Sequence, residues 1–326
     1  MESKPFKTHN QQLKILRDRG LEVKSSAKRS LEQYGYYSLI NGYKWNFLKR
    51  DSNGNIMRPE KFKVGSNFQE IQDLYDFDRE LRSILFESIL RYESTLRATI
   101  AYRFSEKYPE NHSYLAMDNF GNQEHPETVL KTINELSRVI RDKVNERRRN
   151  GRSSNAIQHY VWKHKHVPLW VLVNYLTFGA INYLYINLEN DLKIKIASDF
   201  QKNRKRSYGP CRSITPDVME SVNHIVNIFR NAVAHGEITF SKRLYSSNRN
   251  SNIVNVLGDT RINTNSQGGV FELLLALKLV LTKQDYKKLT KRIKKLIDDY
   301  SGKFYSVNFN EILQDMNFPD DFISLL

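Results

Sequence analysis

The sequence contains a single cysteine, Cys211, among 326 residues. One thiol per chain excludes both an intramolecular disulfide and a cysteine-based zinc site, and it fits a reducing, cytoplasmic setting. Proline and glycine are sparse as well, at eight and 14 residues, and the long stretches between them favour helices over turn-rich β architectures. No apolar run approaches the roughly 18 residues of a membrane span, and the opening Met1-Glu2-Ser3-Lys4-Pro5-Phe6 lacks the apolar segment of a secretion signal. Neither membrane insertion nor export is expected.

Acidic residues do not balance the basic ones. Fifty-one Lys and Arg face 36 Asp and Glu, for a formal net charge of +15 and a pI of about 9.6. A field of that sign favours polyanions, nucleic acid before an anionic membrane. Hydrophobic residues at 40% and aromatics at 12% are enough to build a core, so the chain is expected to fold.

Residues 8–19 and 25–33 read as two short helices, followed by an aromatic run over 34–43 and a turn-rich loop over 51–65. From 68 to 108 the apolar residues Ile71, Leu74, Phe77, Leu81, Ile84, Leu85, Ile89, Leu96 and Ile100 recur at three- and four-residue spacings, which predicts one long helix or two consecutive ones. A loop over 109–126 leads to a charged helix over 127–149 and the basic run Arg147-Arg148-Arg149-Asn150-Gly151-Arg152. Pro168 opens an apolar helix towards 188, residues 202–210 read as a basic loop, and Thr215-Pro216-Asp217 caps a helix reaching about 235. Residues 245–269 are rich in Ser, Asn and Gly, with a β-prone piece at 253–257 that predicts a hairpin or loop, and an amphipathic helical region closes the pattern over 270–300. The fold class expected is all-α: an N-terminal helical cap and loop (1–66), a helical core (67–243) with a basic insert near 127–166, and an irregular or hairpin insertion followed by basic C-terminal helices (244–326).

The helix over 217–235 stands out. At about 100° per residue, Val222, Ile225, Val226, Phe229, Ala232 and Val233 fall on one stripe that must be buried. Asn223, His224, Asn227, Arg230, Asn231 and His235 fill the opposite, polar face, with Arg230 and His235 about 140° apart and Asn231 between them. Gly236 is placed to end the helix in a left-handed cap, leaving the imidazole at the helix terminus. Cutting RNA by internal transfer needs a base near the 2′-OH, an acid for the departing 5′-oxygen and cationic donors for the crowded phosphate, and His and Arg supply those roles without a metal. Spacing alone equally allows Arg230 to pair with a carboxylate while His235 merely ends the helix.

Arg230-Asn231-Ala232-Val233-Ala234-His235 resembles the Arg-x(4–6)-His motif of HEPN ribonucleases, including the Asn that often follows the Arg. Three further stretches resemble AbiD/AbiF abortive-infection proteins, a bacterial HEPN branch, and they occur in the same order. They are Tyr36-Tyr37-Ser38-Leu39-Ile40-Asn41-Gly42-Tyr43; Leu74-Tyr75-Asp76-Phe77-Asp78-Arg79-Glu80-Leu81-Arg82 with Tyr92-Glu93-Ser94-Thr95-Leu96-Arg97; and Pro168-Leu169-Trp170-Val171-Leu172-Val173 with Leu176-Thr177-Phe178-Gly179. The resemblance spans residues 5–243 and implies a HEPN-type helical bundle, metal-independent endoribonuclease activity and defence against phage. It also implies a homodimer, because such sites form from two facing motifs, and association with a structured non-coding RNA. Arg230, Asn231 and His235 would be the catalytic set.

Glu93 and Arg97, four apart on the long helix, read as a surface ion pair by default, while their place in a family-like stretch lets Glu93 hold Arg230. His159, His164 and His166 have a metal-compatible spacing, but Lys163 and Lys165 would repel a cation, so a basic aromatic RNA contact or plain surface is preferred and no metal is expected. Arg147, Arg148, Arg149 and Arg152, then Lys202, Arg204, Lys205 and Arg206, then Lys287, Lys288, Lys291 and Arg292 supply charge for RNA phosphates, although each cluster alone also reads as a solvated face. No Gly-rich phosphate loop or paired metal carboxylates accompany the motif, which disfavours nucleotidyl transfer and calls for no cofactor. The competing function is a non-catalytic protein that holds a structured small RNA.

Overall fold

The computed structural model describes residues 5–121, 124–146, 155–244, 247–258 and 268–326. Its axis is one unbroken helix, α3 (Phe68–Lys107), 40 residues long and therefore about 60 Å from end to end. Asn67 starts it in a reciprocal cap: its Oδ1 accepts from the Glu70 backbone N–H at 3.1 Å, and Glu70 Oε2 accepts from the Asn67 N–H at 3.2 Å. The apolar positions read from the sequence, from Ile71 to Ile100, are buried along it.

The N-terminal cap consists of α1 (His9–Asp18) and α2 (Ala27–Tyr34), a π-type turn over Tyr37–Asn41 and a tight turn over Lys44–Phe47. Beyond α3 come α4 (Pro126–Val144), α5 (Ala156–His164), α6 (Leu169–Leu172), α7 (Phe178–Asn187), α8 (Asn190–Tyr208), α9 (Pro216–Ala234), α10 (Ser247–Leu257), α11 (Val270–Val280), α12 (Lys283–Ser301), α13 (Phe309–Asp315) and α14 (Phe322–Leu325). The fold is all-α: among the described residues β pairing is confined to isolated bridges, as between Leu48 and Phe62. No helix among them is long and apolar enough to cross a membrane. One continuous hydrophobic cluster joins Leu13 in α1 to Leu325 in α14.

Several elements differ from the sequence expectation. The apolar stretch after Pro168 is two helices, because Leu176 is extended and Thr177 starts α7 afresh by accepting from the Ala180 N–H at 3.1 Å. Residues 202–208 are no loop but the last turns of α8, which Gly209 ends. The β-prone piece 253–257 is helical, in α10; its Ile253, Val254 and Val256 are buried, and the neighbouring Asn252 donates to Ser221 of α9 at 3.1 Å. A tertiary apolar surface has overridden local β preference there. The remaining part of the expected hairpin, 259–267, lies outside the described residues. The region 270–300 is two helices with Leu281 extended between them, and α11 is not amphipathic: every residue from Val270 to Leu277 is buried.

Candidate functional site

Helix α9 begins as its sequence predicts, with Thr215 accepting from the Val218 N–H at 3.4 Å and Pro216 in the first turn. It ends as predicted too. The His235 N–H closes the last turn on the Asn231 carbonyl at 3.0 Å, Gly236 takes φ 68°, and the Glu237 N–H returns to the Ala232 carbonyl at 2.9 Å. That left-handed step is open to glycine at no steric cost. Val222, Ile225, Val226, Phe229 and Ala232 are buried as the wheel requires, while Val233 is half-buried.

The polar face is not uniformly presented to solvent. Asn231 and His235 are exposed at the C-terminal end, but Asn223 is fully buried, its Oδ1 accepting from the Tyr92 hydroxyl of α3. Asn227 is half-buried with Oδ1 shielded from water. The face thus grades from a buried root against α3 and α7 to an exposed tip. Periodicity could not see this gradient, because a buried polar side chain and an exposed one look alike in sequence.

At the tip, Arg230 Nε lies 3.7 Å from Glu93 Oε2, while Arg97 donates through Nη2 to the other Glu93 oxygen and to the Leu176 carbonyl, the latter at 2.6 Å. The Glu93 side chain is only 2% exposed, against 24% for Arg230, so the carboxylate is a buried anchor with a cation on each side. Two guanidinium groups around it offset much of the cost of burying its charge. Glu93 and Arg97 are therefore not an ordinary surface pair. The structure brings Glu93, Arg97 and Arg230 together and sets Asn231 and His235 beyond them in solvent.

A second buried carboxylate fixes the chain just after the helix. Asp78 of α3 accepts from the Tyr43 hydroxyl at 2.7 Å, from Arg82, and from the backbone N–H groups of Thr239 and Phe240 at 3.1 and 2.7 Å. Burial pushes the Asp78 carboxyl upward, opposed by the Arg82 charge, the Tyr43 hydroxyl and the two N–H groups. Burial, and then the Asp78 charge, push the Tyr43 hydroxyl well above its ordinary value, so it keeps its proton and donates. Arg82 also reaches the Glu237 carbonyl at 3.3 Å. Gly42 leaves room beside it for Ile238, whose Cδ1 would stand 3.4 Å from a β-carbon there. Sequence reasoning assigned no role to Tyr43, Asp78, Arg82 or Tyr92. Their signal was their presence in the stretches quoted above; Tyr92 meets α9 at Asn223, and Tyr43, Asp78 and Arg82 meet the segment following it.

The basic clusters fare unevenly. Arg147, Arg148, Arg149 and Arg152 lie outside the described residues. Lys202, Lys205 and Arg206 are exposed on the end of α8, but Arg204 is buried, donating to the Lys278 carbonyl at 2.8 Å with its guanidinium over the Tyr208 ring. Arg204 is thereby removed from the phosphate-facing set: on a helix, unlike a loop, one residue in four turns inward. On α12, Lys287 and Lys291 are exposed, whereas Lys288 and Arg292 both bind Glu87, the former at 3.2 Å. His159 and His164 have their rings 5.8 Å apart, and among the described residues no group of three or more His, Cys, Asp or Glu is arranged to hold a metal ion.

Against known proteins, residues 29–241 match the family model described as Abi-like protein. No curated protein and no solved structure matches. The matched span starts at the second helix of the cap and ends one residue beyond Phe240, so it takes in both carboxylate anchors and the whole of α9.

Proposed function

The chain belongs to the Abi-like protein family, the abortive-infection proteins, and on that premise we propose that it is a metal-independent HEPN-type endoribonuclease of bacterial defence against phage. The observation that carries the reading is the arrangement at the end of α9. A buried carboxylate lies between the guanidinium groups of Arg97 and Arg230, and the Asn231 amide and His235 imidazole stand exposed at the C-terminal end of α9.

In the reaction, the 2′-oxygen of a ribose attacks the adjacent phosphorus, the bond from phosphorus to the 5′-oxygen breaks, and the products carry a 2′,3′-cyclic phosphate and a 5′-hydroxyl. One group takes the 2′-OH proton and another protonates the leaving 5′-oxygen. His235 supplies one of these per chain, so a pair of α9 tips in a homodimer supplies both. Arg230 donates to the phosphate oxygens as charge builds on them, and Asn231 orients the phosphate or the imidazole. Glu93 and Arg97 act through Arg230 as positioning residues. Lys202, Lys205, Arg206, Lys287 and Lys291 contribute phosphate contacts for the RNA target and for a bound structured non-coding RNA.

Purified protein is expected to cut RNA in EDTA and to leave cyclic-phosphate ends. Loss of cleavage in His235→Ala and Arg230→Ala, with folding intact, is the required result; cleavage surviving His235→Ala would refute the assignment. One observation favours a second reading, a non-catalytic RNA holder: Nε of Arg230 is shielded and turned to Glu93. That reading prevails if both variants bind RNA with unchanged affinity and the parent cuts none.

A further inference from the structure

Beside the segment that follows α9, a groove of about 550 Å³ opens between the N-terminal cap and α13. Trp45 stands at its edge, 45% exposed although it adjoins a buried cap. The indole is held from one side: Lys44 Nζ sits 5.0 Å from the ring centroid and is itself locked by Glu60 at 2.8 Å. An aromatic ring braced on one face by a pinned cation is a ready stacking platform for a second flat ring. Arg50, Lys63 and Arg243 line the same groove, together with the carboxylates of Glu311 and Asp315.

We propose that this groove binds one unstacked nucleotide of single-stranded RNA, with a guanine base on Trp45. The inference rests on the RNA reading above and names what the site recognises. Three cations against two carboxylates leave one net positive charge, which suits one phosphodiester. The existing pairs are open to exchange: Lys63 is 3.3 Å from Glu311 and Arg243 is 3.8 Å from Asp315, with all four side chains about a third or more exposed. Asp315 Oδ2 accepts from the Asn46 Nδ2–H at 2.6 Å and has a second lone-pair site, while Oδ1 has its guanidinium neighbour beyond hydrogen-bond distance, so both oxygens keep acceptor capacity. A carboxylate accepts only, so it selects a base edge with adjacent donors. Guanine alone among the RNA bases places two N–H donors side by side there; adenine, cytosine and uracil each set an acceptor beside the donor, against the carboxylate charge.

The location fits a recognition subsite for the cleavage centre. Phe240, Ser241 and Arg243 line the groove and follow His235 by five to eight residues, and Asp78 pins this segment. His235 and Ser241 are therefore separated by no more than about 20 Å of extended chain. A strand passing the α9 tip would reach Trp45 within a few nucleotides.

The test uses full-length His235→Ala protein, so that binding is read apart from cleavage. Calorimetric titration with GMP, AMP, CMP, UMP and inorganic phosphate should rank GMP tightest. Trp45→Ala should weaken GMP about 5- to 150-fold, the range expected for one stacked base, while Trp45→Phe keeps the affinity within a few-fold and abolishes the fluorescence quenching seen with Trp45. Asp315→Asn should erase the preference for GMP over AMP. Phosphate binding as tightly as GMP, or Trp45→Ala binding GMP like its parent, overturns the proposal. So does a glutamate-rich peptide binding the groove when no nucleotide does. If GMP binds as described while parent and His235→Ala proteins cut RNA equally, the groove stands and the catalytic assignment falls; cleavage that depends on His235 without guanine binding gives the reverse.

Discussion

The backbone N–H of Phe240 donates to Asp78 Oδ1 at 2.7 Å, joining the chain just past α9 to a fully buried carboxylate 162 positions earlier. Tyr43 and Arg82 meet the same carboxylate. The bond ties the cap, the long helix and the end of the candidate site into one unit. Removing its centre takes the shared acceptor from the half-buried Arg82 guanidinium, the Tyr43 hydroxyl and two buried N–H groups. Asp78→Ala is expected to cost about 3–5 kcal/mol of stability in urea denaturation, and Asp78→Asn less, because its amide oxygen still accepts. A loss below about 1 kcal/mol for Asp78→Ala would show that the cluster does not hold the segment.

Glu93→Gln separates positioning from binding. The amide keeps the shape between Arg97 and Arg230 but removes the charge that holds both. Cleavage should fall about 10- to 100-fold, as a displaced catalytic group would cause, while RNA affinity stays within a few-fold. An unchanged cleavage rate rules out a positioning role for Glu93.

Much of this arrangement was legible in sequence, and the illegible part has a physical cause. Thr215, Pro216 and Gly236 announce both ends of α9 through their own backbone chemistry, and the spacing from Ile71 to Ile100 announces α3. Local chemistry of this kind survives in any context. The burial of Asn223 depends on Tyr92, 131 positions away, and the inward turn of Arg204 depends on the Lys278 carbonyl. No pattern within one helix carries that information. Ile253 to Leu257 misled for the same reason, since a surface on α9 decided its conformation.

The buried bond between Tyr92 and Asn223 gives a third prediction. Tyr92→Phe leaves the Asn223 amide with no partner on either atom among the described residues, where its Nδ2 already lacks one. It should destabilise the protein by about 1–3 kcal/mol. Asn231→Ala, at an exposed position on the same helix, should change stability by no more than about 0.5 kcal/mol. Equal effects in thermal denaturation would contradict the buried-to-exposed gradient along α9.

Acid should weaken the contact between α3 and α12. Hydrogen bonds from Lys288 and then Arg292 hold the Glu87 carboxyl below its ordinary value. Its folded-state value is thus lower than its unfolded one, so its contribution is complete above about pH 5 and is lost as pH falls through the folded value. The side chain is 41% exposed, which limits the contribution to less than about 1 kcal/mol. The stability difference between parent and Glu87→Gln should be constant from about pH 5 to 7 and close below about pH 4. It should also shrink in molar salt. A gap that persists at low pH would assign the loss to packing.

Helix α11 lies beyond residue 241, where the family match ends, yet it packs against α9 and is buried at every residue from Val270 to Leu277. The C-terminal part is therefore one side of the bed on which the candidate catalytic helix lies, with α3, α7 and α8 forming the rest. Any chain that keeps the matched span but replaces this part must supply another apolar surface for α9, and the two must change together.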